Sequence, residues 1–247
     1  PGDEVIIPSY AFVTTANAFA SRGAHVVFAD SQKDHPNLDE ATIEPLITPK
    51  TKAIVALHYG GVACNMDEIM AIARTKAIKV LEDNAQGIGS KYKGTPLGGI
   101  GHFGALSFHE TKNVHCGEGG ALLVNTEQAA DRAMVVWDMG TNKAAFKEGK
   151  VDSYGWVDIG SSFYPSELNA AFLYAQLQQL QEVNEERLKT WRHYWHGLED
   201  LQNDGHIRLA PNPNETEHNA HTFYLLTNTK KERDYLIDHL AQKGVSA

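Results

Sequence analysis

Two residues able to do covalent and electrostatic chemistry stand at the ends of two apolar runs. Phe103-Gly104-Ala105-Leu106-Ser107-Phe108 has the length and composition of a buried strand, and His109-Glu110-Thr111-Lys112-Asn113 follows it. Lys112 therefore lies on a short connection at a strand's carboxyl end, where open α/β sheets place ligands. Upstream, Val80-Leu81-Glu82-Asp83 is a second apolar run ending in a carboxylate, followed by Asn84-Ala85-Gln86-Gly87. A lysine taken at random is a solvated surface group. A lysine and an aspartate on two such strand ends are a more specific pair. The amine can condense with the aldehyde of pyridoxal phosphate (PLP), while the carboxylate pairs with the protonated pyridine nitrogen. The same lysine can then serve as a base, provided that burial and nearby positive charge lower its basicity.

The elements that must position this pair follow from periodicity. Strands are predicted at Glu4–Pro8, His25–Ala29, 53–57 and 121–124 besides the two runs above. Helices are predicted over 14–21, from a cap at Asn37 or Asp39 to about Leu46, over 67–75, and over 128–139 behind Thr126. This alternation argues for an α/β fold with a mostly parallel sheet and right-handed crossovers. Parallel strands share one edge, so Tyr10 and Phe12, His58 and Tyr59, Asp83 and Gln86, and Ser107, His109 and Lys112 are all expected to line it. Aromatic-rich 154–164 reads as a binding or subunit-contact loop. Beyond it, 166–201 reads as one long helix, then 207–209 and 222–227 as strands and 230–241 as a helix. The expected organisation is a large α/β domain over 1–165, a connecting helix over 166–201, and part of a small C-terminal α+β domain over 202–247.

Other chemistries find less support. His109, His115 and Cys116 invite a zinc reading but lack a completing ligand. Gly98-Gly99-Ile100-Gly101 precedes a strand instead of linking strand to helix, so it is a poor dinucleotide fingerprint. His206, His218 and His221 read as surface or packing residues. The 247-residue chain carries a formal net charge of −9, which disfavours nucleic-acid binding. Its two cysteines form no disulfide framework and suit a reducing cytoplasm. Neither a membrane span nor a signal peptide is recognisable. The chain opens Pro1-Gly2-Asp3-Glu4 directly before a strand, so a longer parent protein is expected.

With these motifs in place, the chain resembles the PLP-dependent nucleotide-sugar aminotransferases (DegT/StrS type, fold type I). The similarity rests on Glu82-Asp83-Asn84-Ala85-Gln86, Ser107-Phe108-His109-Glu110-Thr111-Lys112-Asn113 and Gly117-Glu118-Gly119-Gly120. It extends from Pro1-Gly2-Asp3-Glu4 through His58-Tyr59-Gly60-Gly61 to Ser166-Glu167-Leu168-Asn169. The resemblance implies Lys112 as the cofactor-linked lysine and Asp83 as the pyridinium partner. It implies Phe12 against the cofactor face, Gln86 beside the ring and its phenolic oxygen, Ser107 on the phosphate, and His109 in the lysine loop. Ser162 takes the place of an asparagine that reaches the phosphate of the neighbouring subunit's cofactor, which implies a homodimer with shared sites. Asn84 stands where relatives carry alanine, and a further hydrogen bond near the ring is expected of it. His115 stands where relatives carry threonine and is given no role. The family's first phosphate loop would precede Pro1. Stretches 62–67, 140–142 and 151–162 resemble members that aminate the 4-keto carbon of a dTDP-linked 6-deoxyhexose, with glutamate as donor. Another nucleotide sugar, a C3 ketone, or a non-catalytic sensor of the same fold stay open as alternatives.

Overall fold

The computed structural model describes residues 1–247. Its centre is a six-stranded sheet built from β1 (Glu4–Pro8), β2 (His25–Ala29), β3 (Thr51–Leu57), β4 (Lys79–Asp83), β7 (Phe103–Ser107) and β8 (Gly120–Val124). The spatial order is β2-β1-β3-β4-β7-β8. All neighbours are parallel except the last pair: β8 runs antiparallel to β7, Ser107 opposite Gly120. The segment carrying Lys112 is thus a hairpin excursion rather than a crossover. Between β4 and β7 lie two-residue strands β5 (Lys91–Tyr92) and β6 (Thr95–Pro96), and β10 (Thr216–Glu217) pairs with β5. Near the C-terminus β9 (Ile207–Leu209) pairs with β11 (Leu225–Thr227).

Both sheet faces are apolar, as strands covered on both sides require. Ile6, Ile54 and Val80 join Leu38, Ile43, Met66 and Ile69 in the main core. On the opposite face Val5, Ile7, Ala53 and Val55 pack with Ala16 and Phe19. Full burial of each such branched side chain contributes about 1.5–3 kcal/mol.

Helices α1 (Val13–Ala20), α2 (Met66–Lys76) and α3 (Glu127–Trp137) follow the predicted spans within a few residues. Asn65 caps α2 by accepting from the Glu68 amide, and Ala77, at φ 54°, turns the chain out. Two helical expectations change. The helix predicted after Asn37 or Asp39 is two single 3-10 turns, Glu40–Thr42 and Glu44–Leu46. Pro45, with no N–H to donate, sits where a continuous α-helix would need one. The helix predicted over 166–201 divides into α5 (Glu167–Gln178) and α6 (Leu180–Asn203), with Gln179 leaving helical geometry at φ −104°, ψ 5°. Short α4 (Lys143–Lys147) and C-terminal α7 (Lys230–Gln242), which Thr229 and Glu232 close with a reciprocal capping box, complete the chain. No helix is long and apolar enough to cross a membrane.

Candidate active site

β4 ends at Asp83 and β7 at Ser107, and their shared direction brings both carboxyl ends to one edge. There a cavity of about 790 Å³ is lined by Phe12, Asp83, Gln86, Ser107, His109 and Lys112. Six of the seven residues proposed from the sequence therefore converge. Ser162 does not line this cavity; it is exposed and forms an isolated bridge with Asp138.

Period-two alternation separates two adjacent carboxylates on β4. Asp83 faces the cavity, where its Oδ2 accepts from Thr15 Oγ1 at 2.6 Å and its Oδ1 from the Ala85 amide at 3.2 Å. Glu82 faces inward and is fully buried with His58. His58 Nε2 lies 3.0 Å from Glu82 Oε2. Since His58 Nδ1 accepts from the Cys64 amide, Nε2 carries the proton and donates to Glu82. The amides of Gly98, Ile100 and Gly101 donate to the same carboxylate. Burial alone would raise the Glu82 pKa, but the His58 bond and these amides outweigh it and hold the carboxyl below its ordinary value. The Gly98-to-Gly101 motif is thus a nest for a carboxylate of the protein itself. His58, expected on the catalytic edge, belongs to this buried support instead.

Lys112 is half-buried, and its amine makes no hydrogen bond within the chain. Burial lowers its pKa, while the Asp83 charge opposes that shift. The direction favours the neutral, nucleophilic amine. Gln86 Oε1 accepts from the Gly60 amide at 2.6 Å, tying the β4 loop to the β3 loop. The Ser107 hydroxyl accepts from the His109 amide, and His109 Nδ1 lies 3.0 Å from Thr111 Oγ1. Phe12 is 70% exposed although it borders the cavity, so one face of its ring is free for a planar ligand.

Several residues fall elsewhere than expected. Asn84 is buried behind the cavity and donates to the Leu97 carbonyl at 2.7 Å, so it adds no bond beside the ligand space. Tyr10 and Tyr59 meet edge to face, 5.3 Å between centroids, in a separate hollow with Tyr224. His109, His115 and Cys116 diverge: His115 packs on Phe172 and the Cys116 thiol points to the Glu118 carbonyl. His218 packs on Trp191, as predicted for a packing residue. His221, given the same reading, lines the Lys112 cavity. Thr15 was not anticipated either, although its place one turn into a small-residue helix after a strand end could have marked it.

A flat cationic heterocycle bearing an aldehyde fits this donor set. An unpartnered amine stands within electrostatic reach of a doubly anchored carboxylate, beside an open aromatic face, in a cavity large enough to hold it.

Comparison with known proteins agrees with the fold. A spore coat polysaccharide biosynthesis protein, SpsC, from Bacillus subtilis is 38% identical over 190 residues, covering 76% of this chain and 49% of the relative. A pleiotropic regulatory protein from Geobacillus stearothermophilus is 34% identical over 247 residues, all of this chain and 63% of the relative. The chain thus spans about half to two thirds of these curated relatives. Among solved structures, an aminotransferase from Psychrobacter cryohalolentis superposes with a TM-score of 0.92 at 30% identity, over 99% of this chain and 66% of that one. DesV from S. venezuelae, solved in complex with a ketimine intermediate, gives 0.88 at 30% identity, over 100% and 62%. The family match extends over residues 1–247, and the chain belongs to the DegT/DnrJ/EryC1/StrS aminotransferase family.

Proposed function

We propose that the full-length protein is a PLP-dependent transaminase that moves an amino group from glutamate to the 4-keto carbon of a dTDP-4-keto-6-deoxyhexose. The product would be dTDP-4-amino-4,6-dideoxygalactose, the reaction of dTDP-4-amino-4,6-dideoxygalactose transaminase. The observation that carries the transaminase reading is the single cavity holding both the Lys112 amine and the anchored Asp83 carboxylate. The narrower choice of sugar rests on stretches 62–67, 140–142 and 151–162. The relative named for spore coat polysaccharide biosynthesis supports a carbohydrate substrate.

When bound, PLP supplies an electron-withdrawing ring that stabilises charge at the amine-bearing carbon. Asp83, fixed by Thr15 and Ala85, would hold the ring through its nitrogen and favour the protonated form of that nitrogen. Lys112 would anchor the aldehyde carbon, and its Nζ, made less basic by burial, would also serve as the base that takes up and returns a proton. Of the other residues lining the cavity, Phe12 would cover the ring and exclude water, Gln86 would hold the phenolic oxygen, and Ser107 with His109 would hold the phosphate. Ser162 serves the partner subunit's site across a two-fold homodimer. Trp156, at 77% exposed, Leu168, at 83%, and Tyr174, at 66%, support an apolar contact surface. Within the subunit, 1–165 forms the cofactor domain, 166–201 the connection and 202–247 part of the small domain.

Visible absorbance of the full-length protein with PLP should change when glutamate is added. Products from 4-keto and 3-keto nucleotide sugars, weighed by mass spectrometry, distinguish the acceptor. Borohydride trapping should place the reduced cofactor on the Lys112 peptide; a label on another peptide, or none, ends this assignment.

A further inference from the structure

His221 reaches the cavity from a segment more than a hundred residues beyond Lys112, and its protonation is dictated by an amide network. Three buried asparagines form that network: Asn113, directly after Lys112; Asn184 on α6; and Asn219, two residues before His221. Backbone carbonyls, which can only accept, fix how each amide is turned. Asn184 Nδ2 donates to the Ile88 carbonyl at 3.2 Å, so its Oδ1 faces Asn113. Asn113 Nδ2 donates to that Oδ1 and to the Asn219 carbonyl, both at 2.9 Å. Asn113 Oδ1 is left facing His221 Nδ1 at 3.0 Å. An amide oxygen only accepts, so His221 Nδ1 must carry the proton and donate it. The remaining nitrogen, Nε2, then holds a bare lone pair and makes no bond within the chain.

We infer that His221, locked by Asn113 as the Nδ1–H tautomer, is a hydrogen-bond-accepting wall of the Lys112 cavity that positions the substrate by taking a hydrogen bond from one of its hydroxyls. The hydroxylated substrate rests on the sugar reading above; the tautomer does not. A second observation agrees with a neutral ring. Burial, with the Lys112 and Arg187 cations beside it, pushes the His221 pKa down to about 4. Arg187 itself is committed to the carbonyls of Ala220 and His221, at 3.2 and 2.7 Å, and so fixes the segment that carries the ring. Asn219 completes the brace: its Nδ2 donates to the Gln86 and Ile88 carbonyls, and its Oδ1 accepts from the His221 amide. The acceptor is thereby held against the Lys112 loop and the Asp83 loop together.

Nitrogen-15 spectra of histidine-labelled full-length wild-type protein at pH 7 test the tautomer directly. The expected result is a proton on Nδ1 and a bare Nε2 whose resonance moves when the sugar nucleotide binds. A proton on Nε2, or an Nε2 indifferent to bound sugar nucleotide, overturns the inference. Kinetics separate positioning from mere packing. His221→Asn keeps a donor toward Asn113 but lacks the Nε2 acceptor, and should raise the KM for the keto sugar about five- to tenfold, one neutral hydrogen bond. The spectral change with glutamate alone should persist. His221→Gln, whose longer amide can present an oxygen near the Nε2 position, should recover most of the loss. Equal KM values in all three proteins refute the role. If the wild type aminates no sugar, the proposed function fails while the nitrogen spectra still decide the tautomer.

Discussion

Glu82 and Asp83 are consecutive carboxylates on one strand, and they live in opposite regimes. Glu82, with every approach occupied by the His58 ring and three backbone amides, is a finished structure. Asp83, half-buried, has one side-chain hydroxyl and one amide and an open cavity before it. Low dielectric strengthens both sets of interactions, but only the incomplete set can respond to a ligand. A site capable of chemistry is recognised here by what its carboxylate still lacks. The adjacent saturated carboxylate shows what holds the strand end in place.

Substitutions can break this contrast. Lys112→Ala should have the largest effect, removing anchor and base together and lowering transamination at least about 10³-fold, with the thermal midpoint nearly unchanged. Glu82→Ala should act on stability instead. It strands a buried imidazole and three amides, so urea unfolding should show a loss of about 3–5 kcal/mol. Asp83→Ala should invert that pattern: stability within about 1 kcal/mol of wild type, but a glutamate half-reaction slowed at least about tenfold, equivalent to about 1.4 kcal/mol of barrier. If Asp83→Ala unfolds the protein and Glu82→Ala does not, the division of labour is reversed. Thr15→Val sharpens the comparison by loosening Asp83 without removing it; a rate loss of about fivefold, smaller than for Asp83→Ala, is expected in stopped-flow.

Acid provides the mildest probe. His35, His218 and His221 are each pushed to about 4, chiefly by burial. The unfolded chain takes up these protons near 6.5 and the folded chain only near 4, so their contribution to stability is complete above pH 6.5. It is lost as pH falls toward 4. Denaturation midpoints measured across that window should drop, and His218→Gln should remove about one proton from the linked uptake. A midpoint that stays flat from pH 6.5 to 4.5 would contradict neutral imidazoles at these positions.

The cavity edge is legible in sequence because an apolar run that stops at a charged residue marks a strand end, and parallel order sends all such ends one way. Asp83, Gln86, Ser107 and Lys112 are found by that rule. Local pattern does not say which of two neighbouring polar residues turns inward, so His58 is misplaced and Glu82 passes unnoticed. Nor does it reveal partners supplied from afar: His221 sits in a stretch without periodicity, and only tertiary folding brings it to Asn113. The break at Gln179 is hidden for another reason, since the residues around it are acceptable helix formers.

The antiparallel pairing of β7 with β8 carries a consequence for assembly. The Lys112 hairpin closes over a dozen residues, so it can form early and by itself, whereas the bonds from Asn113 span separations of 71, 106 and 108 positions. A nascent chain would therefore hold the Lys112 amine in a finished loop while that loop is still unaimed. Cofactor capture would ripen only when the later-made segments bearing Asn184, Asn219 and His221 arrive.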